Sequence, residues 1–348
     1  MSNVQRLVAS LLGVGLLALS LAACSQPSGG APAGSAPAAK PAAQGAASPA
    51  AAGAASPAAA SAPVKLTVGI LPISELIPLW VAQDEGYFTA EGLTLETTVL
   101  AGGAAGIPAL ESNSLQLMYS NVASAMIAAE QGLDLHIVAP GSVLGISNPD
   151  PTGMLVRSDS GLTSGNMNGK RVATNTLKNI TDVYGAEMLA RKGVDTKTLQ
   201  WTEVPFPQMP DALINGALDA IITPEPFLTI AKNSGKATVI GYPFLEVQPN
   251  FEAAQYVALE RWLRNNADTL ARFRRSLLRG VEYVNANRNR LGDWAVQYTK
   301  LDPALKDQVA FPGWHTQLDR KSLEQSGELF QRYDLLKRPP NLDQLLWQ

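Results

Sequence analysis

Short apolar runs alternate with longer amphipathic segments through most of this sequence. The run 65–71 alternates and then becomes wholly apolar, a pattern typical of a short buried strand. Segment 76–81 then places its apolar side chains on one face of a helix, with Ser74 available as its N-cap and Gly86 at its end. A second strand begins near Leu93. This opening stretch therefore predicts a βαβ unit, and the loop after its first strand is where α/β folds place ligands.

The same reasoning divides the rest of the chain into strands and helices. Predicted strands cover 95–100, 115–119, 136–139, 154–157, 170–173, 201–204, 220–223 and 255–259. Predicted helices cover 107–113, 122–131, 182–192, 209–215, 224–235, 261–287, 291–298 and 321–336. Strands that alternate with helices in this way indicate an α/β protein.

Segments 109–137 and 212–240 resemble each other, which indicates an internal repeat. Identical residues occupy equivalent positions: Ala109 and Ala212, Leu110 and Leu213, Leu115 and Leu218, Ile127 and Ile230, Ala128 and Ala231, Gly132 and Gly235, and Ile137 and Ile240. The match also pairs Ser120 with Thr223, and both follow a predicted strand. Two lobes built on one plan, with such strand ends facing each other, would enclose a cleft.

The first residues have the pattern of a secretory signal. Arg6 precedes an apolar run, 7–22, which is shorter than the roughly 20 residues that a membrane-spanning helix needs. The run ends in Leu-Ala-Ala-Cys24, which resembles the processing site of bacterial lipoproteins. We expect 1–23 to be removed and Cys24 to carry lipid; the alternative is an ordinary signal with an incidental cysteine. Cys24 is the only cysteine, so lipidation leaves no thiol for a disulfide, a metal or catalysis.

The segment that follows Cys24 has the composition of a linker. Residues 25–63 are almost wholly Ala, Pro, Gly and Ser, with Lys40 as the single charge. Such a segment has too little apolar bulk to offset the entropy lost on ordering, so we expect disorder and a span of roughly 35 Å. The sequence therefore predicts a folded part tethered to the outer face of a membrane by residues 24–63.

Charge and motif content argue against several classes of function. The 27 basic and 30 acidic residues give no basic surface for nucleic acid. Eight arginines lie between Arg261 and Arg290 on a predicted helix; we interpret them as a solvated face, with a docking patch as the alternative. The two histidines, His136 and His315, show no metal-binding spacing, and neither a GxSxG motif nor a P-loop is present. The sequence therefore predicts no metal, no cofactor and no catalysis.

Five segments together carry a resemblance to a known family. They are VGILPISELIPLWVAQDEGYFTAEGL at 68–93, the Gly102-Gly103 turn, Gly132-Leu-Asp-Leu135, Gly169-Lys-Arg-Val-Ala173 and Thr223-Pro-Glu-Pro-Phe227. Their order resembles that in the solute-binding proteins of ABC importers, in the branch that takes up aliphatic sulfonates, taurine, nitrate or thiamine pyrimidine precursors. The resemblance covers nearly all of 64–348.

This resemblance implies an α/β fold of the periplasmic-binding-protein type II, with two lobes that are each a mixed sheet flanked by helices. Lobe 1 would comprise 64–153 and 250–348, lobe 2 would comprise 154–249, and a hinge near 243–250 would join them. We expect an extracytoplasmic monomer, held at the cell membrane by the lipid on Cys24. It would bind a small-molecule solute between the lobes and deliver it to an ABC permease driven by a separate ATPase.

The resemblance also implies which residues line the cleft. They are Ser74, Glu75, Gly103, Ala104, Ser120, Asn121, Thr174, Asn175, Thr176, Thr181, Thr223 and Glu225, with Tyr119 placed to stack on a flat ligand. The alternative for Ser74, Ser120, Asn121, Thr174 and Thr181 is that they only cap helices. Lys178 is the only cation in these segments, and we interpret it as a solvated side chain.

Glu225 discriminates most sharply among candidate solutes. A carboxylate beside the ligand would repel sulfonate or nitrate and favour N–H donors or positive charge, as in an aminopyrimidine or taurine. The alternative is that Glu225 caps a helix or forms a local salt bridge. Two rival functions stay open: an enzyme on the same fold, resembling thiamine-pyrimidine synthases, would need cleft histidines or cysteines, and a sensory protein would need a transmembrane helix.

Overall fold

Two five-stranded mixed sheets organise residues 63–348, the part of the chain that this computed structural model describes. The strands of the first sheet are β1 Val64–Ile70, β2 Leu93–Val99, β3 Leu117–Asn121, β4 Leu135–Leu144 and β10 Phe251–Leu259. Those of the second are β5 Thr152–Arg157, β6 Arg171–Thr174, β7 Gln200–Glu203, β8 Ala220–Pro224 and β9 Ala237–Gly241. The predictions for 1–62, including lipidation of Cys24, lie outside the described residues.

The two sheets share one topology. The strand order is β2-β1-β3-β10-β4 in the first sheet and β7-β6-β8-β5-β9 in the second. In the first sheet β1 is parallel to β2 and β3, and β10 is antiparallel to β3 and β4. In the second, β6 is parallel to β7 and β8, and β5 is antiparallel to β8 and β9. The predicted internal repeat is confirmed, because β3 and β8 occupy equivalent central positions.

Two segments connect the sheets. The first crossing, 145–151, runs from β4 to β5, and the second crossing, 242–250, runs from β9 back to β10. Each lobe is therefore built on its own sheet, and the second crossing falls where the sequence predicts a hinge.

Helices cover both sheets. The α-helices are α1 Ile77–Asp84, α2 Tyr87–Ala90, α3 Ile107–Glu111, α4 Val122–Glu130, α5 Ile180–Ala190, α6 Met209–Ile214, α7 Phe227–Asn233, α8 Pro243–Val247, α9 Glu260–Leu263, α10 Ala267–Ala286, α11 Leu291–Thr299, α12 Arg320–Arg332 and α13 Leu342–Leu345. Short 3-10 helices cover Ser74–Leu76, Ala104–Gly106, Thr196–Thr198, Phe206–Gln208, Arg288–Arg290 and Pro303–Gln308. Helices α2, α8 and α13 and strand β9 are not among the predicted elements; each has only four or five residues, so its periodic signal is weak.

The single helix predicted at 261–287 is wrong: the structure divides it into α9 and α10. The break falls at Asn265 and Asn266, whose side-chain amides donate to the carbonyls of Arg261 at 3.0 Å and Trp262 at 2.8 Å. Asparagine side chains that bond to the preceding turn compete with the helical backbone, which ends α9. The helix predicted at 321–336 is also too long, and α12 ends before Asp334, which has a positive φ of 57°.

The apolar faces predicted from the sequence form the core. Leu66 and Val68 of β1 are buried beneath Leu79 of α1 and Phe273 of α10. Each fully buried side chain of this kind contributes roughly 1.5–3 kcal/mol relative to an exposed one. This packing fixes the position of the 3-10 helix that joins β1 to α1 and carries Glu75.

The arginines of α10 make their contacts within the fold. Arg275 pairs with Glu91 at 2.7 Å, the Arg279 guanidinium lies 4.1 Å from the centre of the Tyr87 ring, and Arg274 donates to two backbone carbonyls. These contacts favour a structural role over a free docking patch.

Helix α12 packs against the first sheet but also contacts α5 and the second crossing. The Tyr184 hydroxyl donates to Gln248 Oε1 at 2.7 Å, and Gln248 Nε2 donates to the Ser322 carbonyl at 2.9 Å. The Tyr333 hydroxyl donates to Glu187 at 3.0 Å. The C-terminal region thus braces both lobes on the side of the molecule that carries this crossing. Within residues 63–348, no helix has the length and apolar character needed to cross a membrane.

Candidate functional site

A small cavity of about 50 Å³ lies between the two sheets. It sits beside the carboxyl ends of β1, β3, β6 and β8, the position at which α/β folds bind ligands. Its lining comprises Leu71, Ile73, Glu75, Gly103, Tyr119, Asn121, Leu144, Thr152, Asn175, Ile180, Thr181, Phe206, Pro224, Phe244, Ala253 and Ala254. A water molecule needs about 10–15 Å³ by this measure, so the cavity has room for a few waters or a small solute.

Glu75 is the one acidic side chain in this lining. It lies in the 3-10 helix after β1, and its backbone carbonyl accepts the indole N–H of Trp314 at 2.8 Å. The Ser142 hydroxyl donates to Glu75 Oε2 at 3.3 Å, and the Tyr119 hydroxyl, 3.2 Å from the same oxygen, donates to Ser142 Oγ at 2.7 Å. These two hydroxyls fix the carboxyl group, while Oε1 receives no hydrogen bond from residues 63–348.

Burial controls the protonation of Glu75. Removal from water raises the pKa of its carboxyl group to about 7, although the hydroxyls of Tyr119 and Ser142 oppose the change and the nearby charge of Asp150 adds to it. Burial and the neighbouring Glu75 charge likewise raise the pKa of Tyr119 well above its usual value. Glu75 can therefore exchange a proton near neutral pH, whereas Tyr119 stays a neutral donor.

The cavity has no positive side chain to balance Glu75. None of its lining residues is Lys, Arg or His. The cation that the sequence analysis noted, Lys178, is exposed and lines an outer groove instead. The charge of this site is therefore negative when Glu75 is ionised and zero when it is protonated.

Thr152 is a lining residue that sequence reasoning missed. It is the first residue of β5, is only 2% exposed, and its hydroxyl has no partner among the described residues. Its backbone N–H donates to Asp150 Oδ1 at 3.1 Å, and Asp150 Oδ2 accepts the Gly145 N–H at 2.5 Å. Asp150 thus fixes the first crossing and positions Thr152. The sequence feature that could have indicated Thr152 is the run Asn148-Pro-Asp-Pro151 directly before a strand, because such a run is typical of a crossing between lobes.

Six of the predicted cleft residues line the cavity together: Glu75, Gly103, Tyr119, Asn121, Asn175 and Thr181. Gly103 lies so close to β3 that a Cβ atom there would come within 2.3 Å of Ser120 Oγ. Asn121 also caps α4, since its Oδ1 accepts the Ser124 N–H at 2.9 Å. One residue can therefore serve both as a helix cap and as part of the cavity wall.

The other predicted cleft residues lie outside this lining: Ser74, Ala104, Ser120, Thr174, Thr176, Thr223 and Glu225. Ser120 packs behind Gly103, and the Thr174 hydroxyl bonds to that of Thr181, which does line the cavity. Thr223 is buried, and its hydroxyl lacks a partner among residues 63–348. Ala104 and Thr176 line an outer groove of about 850 Å³. These residues form the outer wall of the cavity and the rim of the cleft.

Glu225 turns away from the cavity toward its own helix. Its carboxylate accepts the Thr229 N–H at 3.0 Å, the Thr229 hydroxyl at 2.8 Å and the Ala310 N–H at 3.3 Å. Burial raises its pKa to about 7, opposed mainly by the bonds from Thr229. Glu225 therefore caps the helix that follows it, which was the alternative interpretation of this residue. The carboxyl group that lines the cavity is that of Glu75.

Hydrogen bonds across the cleft join the two lobes. The Ser74 N–H donates to the Glu225 carbonyl at 3.1 Å, and the Asn179 amide donates to Ser124 Oγ at 3.0 Å. The Gly102-Gly103 turn approaches the loop after β6, where Asn175 donates to the Ala101 carbonyl at 3.4 Å. The structure is therefore that of a closed cleft.

Other features of the described residues do not add to this site. A surface depression of about 260 Å³ lies beside His136 and Arg338, and the His136 ring bonds to the Gln344 carbonyl. No set of three or more His, Cys, Asp or Glu side chains within residues 63–348 is grouped to hold a metal ion. The cavity between the sheets is where the predicted residues converge.

Two equivalent sheets with a cavity between them define a two-lobed α/β protein with the fold of periplasmic-binding proteins. Residues 73–290 match the NMT1/THI5-like family, and the chain belongs to this family. No curated protein matches its sequence.

Solved structures share this fold at low sequence identity. The ligand-binding component of an ABC-type import system from Staphylococcus aureus, with zinc bound, is 16% identical with a TM-score of 0.71, over 82% of this chain and 96% of that one. The alkanesulfonate-binding protein of Xanthomonas axonopodis pv. citri bound to MOPS is 17% identical, with a TM-score of 0.69 over 82% and 99%. The periplasmic nitrate-binding protein of Synechocystis is 13% identical, with a TM-score of 0.67 over 81% and 84%.

Proposed function

We propose that this chain is the extracytoplasmic solute-binding lipoprotein of an ABC importer. It binds a small solute between its lobes and delivers it to a membrane permease powered by a separate ATPase. The observation that carries this proposal is the cavity at the facing strand ends of two equivalent sheets. Family membership supports it, as do neighbours of the same fold whose names describe sulfonate-binding and nitrate-binding proteins.

The lobes of this proposal are 64–153 with 250–348, and 154–249. Both crossings between the sheets lie near these boundaries, so rotation about them opens the cleft. Opening breaks the bond between Ser74 and Glu225, and closure around a solute restores it. We propose that the permease recognises the closed, loaded form of a monomer.

The binding residues of the proposal fall into two groups. Glu75, Gly103, Tyr119, Asn121, Asn175 and Thr181 contact the solute. Ser74, Ala104, Ser120, Thr174, Thr176, Thr223 and Glu225 support the cavity wall or the closing surfaces around it. The candidate solutes are those of the family resemblance: a sulfonate, taurine or nitrate, or a thiamine-precursor-like heterocycle.

We infer that the protein has no catalytic activity of its own. The cavity lining contains no histidine or cysteine, the groups that an enzyme resembling thiamine-pyrimidine synthases would need. A carboxyl group, hydroxyls and amides can hold a solute by hydrogen bonds. Turnover of a candidate solute by the purified protein would favour the enzyme alternative.

The binding proposal is tested by thermal unfolding of the full chain, purified from membranes in detergent, against a panel of candidate solutes. A solute present at 100 times its dissociation constant stabilises the folded state by about 2.7 kcal/mol. A shift with at least one solute, without turnover, supports the proposal. The absence of any shift across sulfonates, taurine, nitrate and aminopyrimidines contradicts it.

The lipid anchor is tested separately. Cys24→Ser removes the only thiol of the chain, so we expect the variant to leave the membrane fraction and to lose incorporation of a labelled fatty acid. Ser25→Ala, next to it, is the matched control and should stay lipidated. A C24S variant that still labels and sediments with membranes contradicts the anchor.

A further inference from the structure

We propose that the cavity selects a solute that carries N–H donors, neutral or positively charged, in preference to an anion such as a sulfonate or nitrate. The donors bind the free oxygen of Glu75 and the hydroxyl of Thr152. This inference rests on the proposed solute-binding function and narrows its solute class. It runs against the names of several structural neighbours, which describe anion-binding proteins.

The first support is the charge balance of the cavity. An anion would lie beside the Glu75 carboxylate, with no Lys, Arg or His in the lining to compensate. Two like charges about 4 Å apart repel strongly at the effective dielectric constant of a partly buried site, so an anion binds only when Glu75 is protonated. Because the pKa of Glu75 is about 7, this requirement weakens anion binding about tenfold at pH 8 and only slightly at pH 6. An amine, amidine or amino group reverses the sign of this interaction or removes it.

The second support is the supply of unused hydrogen-bonding atoms. Glu75 Oε2 takes both hydroxyl contacts, which leaves Oε1 as an acceptor for a ligand. Thr152 lines the cavity and is only 2% exposed, and its hydroxyl, which can accept from an N–H group, has no partner within residues 63–348. Buried polar atoms are rarely left unpaired, so an unpaired hydroxyl in a cavity wall points to a bound molecule.

The third support is the apolar part of the wall. Leu71, Ile73, Leu144, Phe206 and Phe244 surround the polar groups with hydrocarbon. A small inorganic anion such as nitrate has no apolar surface to bury there, whereas a compact ring with amino groups on one edge has both. The wall therefore favours a solute with apolar surface over a bare inorganic anion, and a ring larger than the cavity of the closed cleft would need the lobes to separate slightly.

Binding by ionised Glu75 predicts the direction of the pH dependence. The titratable groups near its carboxyl group are Tyr119, which stays neutral, and Asp150, which accepts backbone N–H groups of the first crossing and whose pKa burial raises to about 6. Asp150 therefore completes its ionisation in the same pH range and adds negative charge near Glu75. Affinity for a cationic donor should rise severalfold to tenfold between pH 6 and pH 8 as Glu75 ionises, since its pKa is about 7. Anion binding through a protonated Glu75 would instead weaken over that range.

The experiment measures dissociation constants of the full-length lipoprotein by calorimetry at pH 6 and pH 8. The probes are an aminopyrimidine, benzamidine, ethanesulfonate and nitrate. At pH 8 we expect the two donors to bind and the two anions to bind at least tenfold more weakly. Glu75→Gln should weaken benzamidine at least tenfold and remove most of its pH dependence, and Thr152→Val should weaken both donors severalfold. The controls are the exposed residues in Glu85→Gln and Thr98→Val, which should leave every constant unchanged.

Three results overturn the inference. If ethanesulfonate or nitrate binds as tightly as the donors, the solute class is wrong while the solute-binding function stands. If benzamidine affinity falls between pH 6 and pH 8 in the unaltered protein, Glu75 does not act as an ionised acceptor, and this result needs no variant to fold. If none of the four probes binds, the inference fails, and the wider thermal panel decides whether the solute-binding function fails with it.

Discussion

The backbone N–H of Ser74 donates to the backbone carbonyl of Glu225 at 3.1 Å, although the two residues follow strands of different sheets. Ser74 Oγ lies 3.4 Å from the same carbonyl oxygen. The Glu225 carboxylate meanwhile accepts the N–H of Ala310, which lies C-terminal to β10. One residue of the second lobe is thus bonded on two sides to the first, which makes Glu225 a closing contact of the cleft.

Replacing Glu225 should weaken the folded state. In Glu225→Ala the N–H groups of Thr229 and Ala310 lose their acceptor in a buried setting, which costs about 2–3 kcal/mol of the free energy of unfolding. Urea unfolding of the solute-free protein measures the loss. Glu328→Ala, an exposed position on α12, is the control and should stay within about 0.5 kcal/mol of the parent. Equal stability of the two variants would show that Glu225 makes no net contribution.

Stability without solute should fall as the pH rises from about 4.5 to about 7. Burial raises the pKa of both Glu75 and Glu225 from 4.5 to about 7, so in this range the folded state holds protons that the unfolded chain has released. The contribution of these two groups to the free energy of unfolding is complete below pH 4.5. It is lost as the pH rises through about 7, the pKa in the folded state, by on the order of 3 kcal/mol for each group.

Urea unfolding at pH 5 and pH 8 measures this loss. Glu75→Gln should remove about a third of the difference, since glutamine does not titrate and burial also raises the pKa of Asp150 and Asp182 to about 6. Glu85→Gln at an exposed position should leave the difference unchanged. A free energy of unfolding that rises over this range would contradict the assignment of both raised pKa values.

The contact between Tyr184 and Gln248 should contribute to the bracing of the lobes by α12. Tyr184→Phe keeps the ring, which packs 4.5 Å from that of Phe251, but removes the donor to Gln248 Oε1 in a buried site. We expect a loss of about 1–2 kcal/mol in the free energy of unfolding. Tyr87→Phe is the control, because its half-buried ring lies against Arg279 and keeps that contact. If both substitutions lower the free energy of unfolding equally, the Tyr184 hydroxyl makes no specific contribution to stability.

The first crossing should affect both stability and solute affinity. Asp150→Ala removes the acceptor for the N–H groups of Gly145 and Thr152, so we expect a loss of about 2 kcal/mol in stability. We also expect weaker binding of whichever probe binds the parent, because Thr152 is no longer held in the cavity wall. Calorimetry and urea unfolding measure the two effects, with the exposed Asp159→Ala as control. If the variant is destabilised but its affinity is unchanged, Thr152 does not contribute to solute binding.

The plan of the fold follows from patterns along the chain. Alternating apolar runs and amphipathic segments located most strands and helices, because burial on one face imposes a period of two or 3.6 residues. The repeat between 109–137 and 212–240 anticipated two sheets of one topology, and the polar residues after β1, β3 and β6 marked the side of each sheet that faces the cavity. Because these features depend on neighbouring residues or on a repeating pattern, they can be recognised in the sequence without the structure.

Which carboxyl group faces the cavity depends on contacts between segments that are far apart in the chain. Glu225 and Glu75 both follow a buried strand, and the sequence favoured Glu225 as the informative one. The two differ because Thr229, four residues on, offers Glu225 a backbone and a side-chain donor, whereas Glu75 is directed by Tyr119 and Ser142 of other strands. Thr152 was missed for a related reason. A hydroxyl without a partner is recognised only when all its neighbours are known, and those neighbours come from segments far apart in the chain.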